Sequence, residues 1–76
     1  MKNIKVGKYR HYKGKYYKVV GVARHSDTLQ EFVIYRALYD SREFGKKAWW
    51  VKPVSLFTKK IKYKNKRVPR FKYISE

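Results

Sequence analysis

Two short clusters hold the residue types best suited to grip an anion. Arg10-His11-Tyr12 lies near the start of the chain, and Arg24-His25-Ser26-Asp27-Thr28 follows a run of β-forming residues. An arginine guanidinium binds phosphate or carboxylate through two parallel hydrogen bonds. Imidazole titrates near neutrality and can donate or accept. If the strands bearing the two clusters pair, both clusters reach one rim of a small barrel. Arg10, His11, His25, Ser26 and Thr28, with Tyr35 and Trp50 as lining rings, then form a pocket for a nucleotide or another small anion. The competing reading is structural. Ser26, Asp27 and Thr28 bond the backbone of their own turn, and the two histidines fill partly buried polar positions.

A second constellation spans residues 59–72. Lys60, Lys62 and Lys64 alternate with Ile61 and Tyr63, and Arg67 and Arg70 follow. A strand with lysine on one face suits a phosphate backbone. Neutralising about five phosphates gives log K a slope of roughly −4 to −5 against log salt. Tyr63 could stack on an unpaired base, worth about 1–3 kcal/mol. Trp49 and Trp50 are adjacent on a strand and so face opposite ways. Trp50 is expected inward or lining a pocket, and Trp49 outward as a further stacking ring. The structural alternative for the lysines is edge protection, because lysine on an edge strand prevents sheet-to-sheet aggregation.

Other chemistry is poorly supplied. There is no cysteine and there are two histidines, which falls short of a usual zinc set. His25, Ser26 and Asp27 are chain neighbours and cannot form a catalytic triad among themselves. No glycine-rich phosphate loop is present. The expectation is a protein that is not an enzyme, with no catalytic residues, no metal and no cofactor.

The elements that must position these residues are strands. Residues 9–12 read as a short strand, 13–15 as a turn, and Tyr16–Arg24 as a long strand with a bend or bulge at Gly21. A polar corner at 25–28 leads to a strand over 32–39 and a charged loop over 40–46. Residues 48–51 form a third core strand, stopped by Pro53, and 54–57 make a single helical turn. Ile61 and Tyr63 mark a strand that turns back at Asn65-Lys66, and 68–74 completes the hairpin with Pro69 at an edge or bulge. Five or six short antiparallel strands with no long amphipathic helix imply an all-β fold. A small, strongly bent barrel of the SH3-like or OB-like kind is the consistent solution.

Charge is distributed unevenly. Residues 1–26 hold eight Lys or Arg and residues 44–75 hold eleven, with no Asp or Glu in either stretch. Four of the five acids fall within 27–43, and the net charge is +16. Self-repulsion of this size disfavours a compact state, so a polyanionic partner is the economical explanation. A chain of 76 residues makes one domain, taken as 8–76 with residues 1–7 as a basic arm. Its 43% hydrophobic content, much of it β-branched or aromatic, argues for folding rather than disorder. No window approaches 18 apolar residues, so no membrane span is expected. The basic N-terminus lacks the apolar run of a signal peptide, which points to the cytoplasm.

Several motifs in order carry a resemblance: YRHYKG at 9–14, GVARHSDT at 21–28, VIYRALY at 33–39, WVKP at 50–53, Phe57, and VPRF at 68–71. Over roughly residues 8–73 the chain resembles the small bacterial and phage family catalogued as domain of unknown function 1653. The resemblance implies a short, mostly β domain and no agreed activity. That family commonly has acids around the turns and last hairpin, where this chain has Lys59, Lys60, Lys62, Lys64 and Lys66. A shared site would therefore sit in the motifs, not in the lysine coat.

The leading expectation is a non-enzymatic module for single-stranded or structured nucleic acid, bound through Lys60, Lys62, Lys64, Arg67, Arg70, Tyr63 and Trp49. The alternatives are the nucleotide or anion pocket above, and a protein-interaction adaptor that uses the near-neutral 27–43 segment.

Overall fold

The computed structural model describes residues 4–76. Its main sheet has five antiparallel strands: β1 (Gly7–His11), β2 (Tyr16–Arg24), β3 (Glu31–Ala37), β6 (Trp49–Pro53) and β9 (Phe71–Ser75), in the order β6-β3-β2-β1-β9. Between β3 and β6 lies a small hairpin of β4 (Asp40–Ser41) and β5 (Gly45–Lys46). After β6 comes one helical turn, α1 (Val54–Phe57), then a separate ribbon of β7 (Lys60–Tyr63) and β8 (Lys66–Pro69).

Alternation decides which side chains go inside. Val33, Tyr35 and Ala37 of β3 are buried, while Phe32, Ile34 and Arg36 face the other way. Tyr17 and Val19 of β2 face the same core. The β2–β3 register shifts between Val19 and Gly21, so Val20 is the extra residue of a bulge and is 47% exposed. Without the bulge, period-two alternation would turn Val22 outward. With it, Val22 sits opposite buried Val33 and packs on the core. β1 runs close to β9 at Gly7, whose φ is +136° and where a Cβ would meet the Ser75 carbonyl oxygen at 2.5 Å.

Aromatic rings fill the core. Tyr9, Tyr35, Phe57 and Phe71 are buried with Val19, Val33 and Val54. Phe57 and Phe71 stack at 4.2 Å with planes 7° apart. The fold is mostly β with one small helix. The expected barrel is not formed: the edge strands β6 and β9 do not pair, so the sheet is not closed. The reason lies in α1. It follows β6 at once and lays Phe57 on Phe71 of β9, so rings bridge the gap where a barrel would use backbone hydrogen bonds.

Three expected elements differ. The 40–46 loop holds the β4–β5 hairpin, tied by Phe44 N–H donating to Ser41 Oγ at 2.9 Å. The expected last strand breaks at Arg70: its first half pairs with β7, and its second half, β9, pairs with β1. The turn of the ribbon lies at Lys64 and Asn65, one residue earlier than expected, and both have positive φ, at 51° and 63°. That is the backbone a two-residue hairpin turn requires. Of the expected arm, residues 1–3 lie outside the described residues. Ile4 packs on the core, and the Lys5 carbonyl accepts a 2.8 Å hydrogen bond from the Tyr9 hydroxyl. Among the described residues, no helix is long and apolar enough to cross a membrane.

Candidate functional site

A cleft of about 330 Å³ opens where the end of β1 meets β9 and the β7–β8 ribbon. Arg10, His11 and Tyr12 line it from one side, Lys72 from β9, and Tyr63, Val68 and Pro69 from the ribbon. Strand pairing explains the convergence. Arg10 is opposite Lys72, and His11 is opposite Phe71. The turn after β1 is closed by His11 N–H to the Lys15 carbonyl and Gly14 N–H to the His11 carbonyl, both 2.7 Å. Tyr12 N–H donates to the Arg70 carbonyl at 3.0 Å, while Arg70 N–H donates to the Lys59 carbonyl at 3.3 Å. Arg70 thus joins ribbon and sheet, and Tyr12 meets Tyr63 edge to face at 5.1 Å.

The rings of the cleft already attract cations. Lys13 Nζ lies 5.8 Å from the centre of Tyr12, and Lys64 Nζ lies 5.3 Å from that of Tyr63. His11 packs against Tyr12 at 4.5 Å and edge-on to Phe71 at 4.9 Å. Its Nδ1 accepts Lys13 N–H at 3.2 Å, which places the neutral ring's proton on Nε2. Burial holds the His11 pKa below its ordinary value, helped by the nearby charges of Arg70, Lys13 and Lys52. Deeper in, burial raises the pKa of the Tyr17 hydroxyl, and its 2.5 Å hydrogen bond with the Tyr39 hydroxyl adds to the rise. Burial does the same for Tyr35.

The ribbon has two unlike faces. Directly opposed residues share a face. Lys60 and Lys62 stand with their partners Pro69 and Arg67, whereas Ile61 and Tyr63 stand with Val68 and Lys66. Tyr63 and Val68 face the cleft, and Pro69, though it stands with Lys60, borders it at the end of the ribbon. Lys60, Lys62 and Arg67 are exposed on the other side, with Lys62 directly across from Arg67. Arg70 is only partly exposed, and its buried Nε has no hydrogen-bond partner.

The residues expected to form one anion pocket do not gather. β1 and β2 are antiparallel neighbours, so Arg10 lies beside Tyr16, at the start of β2, while His25, Ser26 and Thr28 follow its far end. Nine residues at about 3.3 Å each set the clusters roughly 30 Å apart along the strand. His25 instead organises its own turn: its Nδ1 accepts N–H groups from Asp27 at 3.2 Å and Thr28 at 3.3 Å. Thr28 Oγ1 accepts Gln30 N–H at 3.2 Å. Ser26 is exposed in the same turn. Tyr35 is 6% exposed and belongs to the core. Trp50 packs on the core and meets Phe44 edge-on at 4.9 Å. Trp49 is outward, 58% exposed, with the Arg36 guanidinium 4.9 Å from its ring. It sits on β6, the sheet edge opposite β9, and so does not join the ribbon residues.

The sequence thus divides the cleft residues between two candidates: Tyr12 stands in the first cluster but not among the expected pocket residues, and Val68, Pro69 and Lys72 are not singled out. The signal for Tyr12 was its place in the first motif. Lys72 had none, because its pairing with Arg10 depends on the break at Arg70.

Comparison with known proteins agrees with this architecture. A crystal structure of a protein from Bordetella bronchiseptica, itself of the DUF1653 family, superposes with a TM-score of 0.84 at 28% identity, covering 95% of this chain and 88% of that one. No curated protein matches. The family described as "Protein of unknown function (DUF1653)" matches residues 7–73, nearly the whole described fold, and the chain belongs to that family.

Proposed function

We propose that this chain is a non-enzymatic nucleic-acid-binding module of the cytoplasm that takes a single-stranded segment into the cleft between β1, β9 and the ribbon. The observation that carries the reading is the joint lining of one cleft by rings and cations: Tyr12, Tyr63 and His11 beside Arg10 and Lys72. Rings offer stacking faces to unpaired bases, worth about 1–3 kcal/mol each. Arg10 and Lys72 would hold the adjoining phosphates, with Arg10 able to do so bidentately. The acid-free 44–75 stretch supplies the field that draws the polymer in.

The test is fluorescence anisotropy of labelled single-stranded RNA and DNA from ~50 to ~300 mM salt. The expected slope of log K against log salt is roughly −1 to −2, for two phosphates held on Arg10 and Lys72 at about −0.7 each. Affinity that is weak at low salt, or insensitive to salt, overturns the proposal. The cleft volume also suits one nucleotide unit, which favours a second reading, a mononucleotide pocket. Thermal stabilisation by one mononucleotide, with no tighter binding of longer single strands, would select it.

A further inference from the structure

Resting on the nucleic-acid reading, we infer that the preferred target is a junction, a single-stranded segment continuing into a duplex. The ribbon is the reason. One face carries Tyr63, Lys66 and Val68, while the other, the far face, carries Lys60, Lys62 and Arg67, with Pro69 of that face bordering the cleft only at the ribbon's end. A strand lying in the cleft sets its phosphates on Arg10 and Lys72 and leaves the far face untouched. Those three cations need a second phosphate backbone, and the complementary strand of a flanking duplex provides one. The spacing is compatible: Lys60 and Lys62 are two strand residues apart, about 6.6 Å, so both side chains can reach phosphates of one backbone. Lys62 and Arg67 are directly opposed like charges, an arrangement that destabilises a hairpin by itself and that an intervening phosphate relieves. A two-stranded ribbon also has the dimensions to enter a wide duplex groove. No acid lies between residues 44 and 75 to neutralise this face from within the ribbon.

The experiment compares three labelled ligands of one sequence, each made as RNA and as DNA: a single strand, a blunt duplex, and a duplex with a single-stranded tail. Anisotropy at ~100 mM salt should show the tailed duplex binding about tenfold tighter than either part. The exposed triple change Lys60→Gln, Lys62→Gln, Arg67→Gln should bring the tailed duplex down to the single-strand level. It should also flatten that ligand's salt slope by about two to three, and leave single-strand affinity within about twofold. Tyr63→Ala should weaken the single strand and the tailed duplex but not the blunt duplex. Tyr63→Phe, which keeps the ring, should retain binding, and circular dichroism checks that both variants fold. A tailed duplex bound no tighter than the single strand, or a triple variant that weakens all three ligands alike, overturns the junction and leaves the single-strand reading standing. Absence of binding to every ligand at ~50 mM salt overturns both.

Discussion

At the scale of single residues, the chain's two histidines do the same job. His11 and His25 each stand where a strand gives way to a turn, with Nδ1 accepting the N–H two residues on, at 3.2 Å in both cases. A protonated Nδ1 cannot accept, so acid must break the His11 bond. For His11, burial and the cations Arg70, Lys13 and Lys52 also hold the pKa down. The unfolded chain, whose imidazole titrates near 6.5, therefore binds this proton more readily than the folded one. The stabilisation is whole above about 6.5 and drains away as pH falls through the lowered folded value. NMR titration should place the His11 midpoint below the ordinary value. Denaturant melts should show stability falling with pH in this window, and less steeply in His11→Asn. Equal slopes in the two proteins would refute the link. Gly7 gives a second test at this scale. Its φ of +136° and the Ser75 oxygen 2.5 Å from a notional Cβ leave no room for a side chain. Gly7→Ala should cost about 1–3 kcal/mol, lowering Tm by roughly 5–15 °C in a domain of this size, as calorimetry can check.

At the scale of elements, local pattern and tertiary pairing were unequally legible. Tyr16–Arg24 reads as a strand because β-branched and aromatic residues dominate it, and Val54–Phe57 reads as one turn because Pro53 ends the strand before it. The β4–β5 hairpin escapes notice, since two-residue strands show no alternation. The break at Arg70 is equally silent: KRVP and FKYIS are both good strand sequences, and only the partners, β7 and β1, distinguish them. Missing that break hid the cleft, because Lys72 reaches Arg10 only once β9 leaves the ribbon. The same gap in pattern reading hid the way the two edges of the sheet are bridged. Phe57, 2% exposed, is the link between β6 and β9. Phe57→Ala should cost about 3–5 kcal/mol, a large share of the stability of so small a domain. Phe57→Leu should retain more than half of it. Urea melts decide the matter, and a Phe57→Ala midpoint within error of the parent would show that the ring stack does not hold the two edges together.

At the scale of the whole molecule, charge sets the terms. The protein carries +16 over 76 residues, and its interior offers no counterweight, since no polar or charged residue is buried among those described. Cations therefore crowd the surface of a sheet whose core is small. Their repulsion opposes compactness, and mobile ions screen it over about 10 Å at 0.1 M. Raising sodium chloride from ~10 to ~200 mM should thus raise Tm, the reverse of what a protein held by surface ion pairs would show. A polyanion acts differently, because it binds the folded surface as a unit and stabilises by mass action. Inorganic polyphosphate at ~10 mM salt should lift Tm beyond the plateau reached with sodium chloride, and ~300 mM salt should abolish that extra gain. The triple Lys60→Gln, Lys62→Gln, Arg67→Gln change separates a general coat from a directed surface. If the far face of the ribbon is where like charges strain the fold, the variant starts with a higher Tm at low salt and gains less from polyphosphate than a variant neutralised at Lys8, Lys18 and Lys47. Equal gains in the two variants would mean that the field is diffuse and the ribbon has no special claim on it.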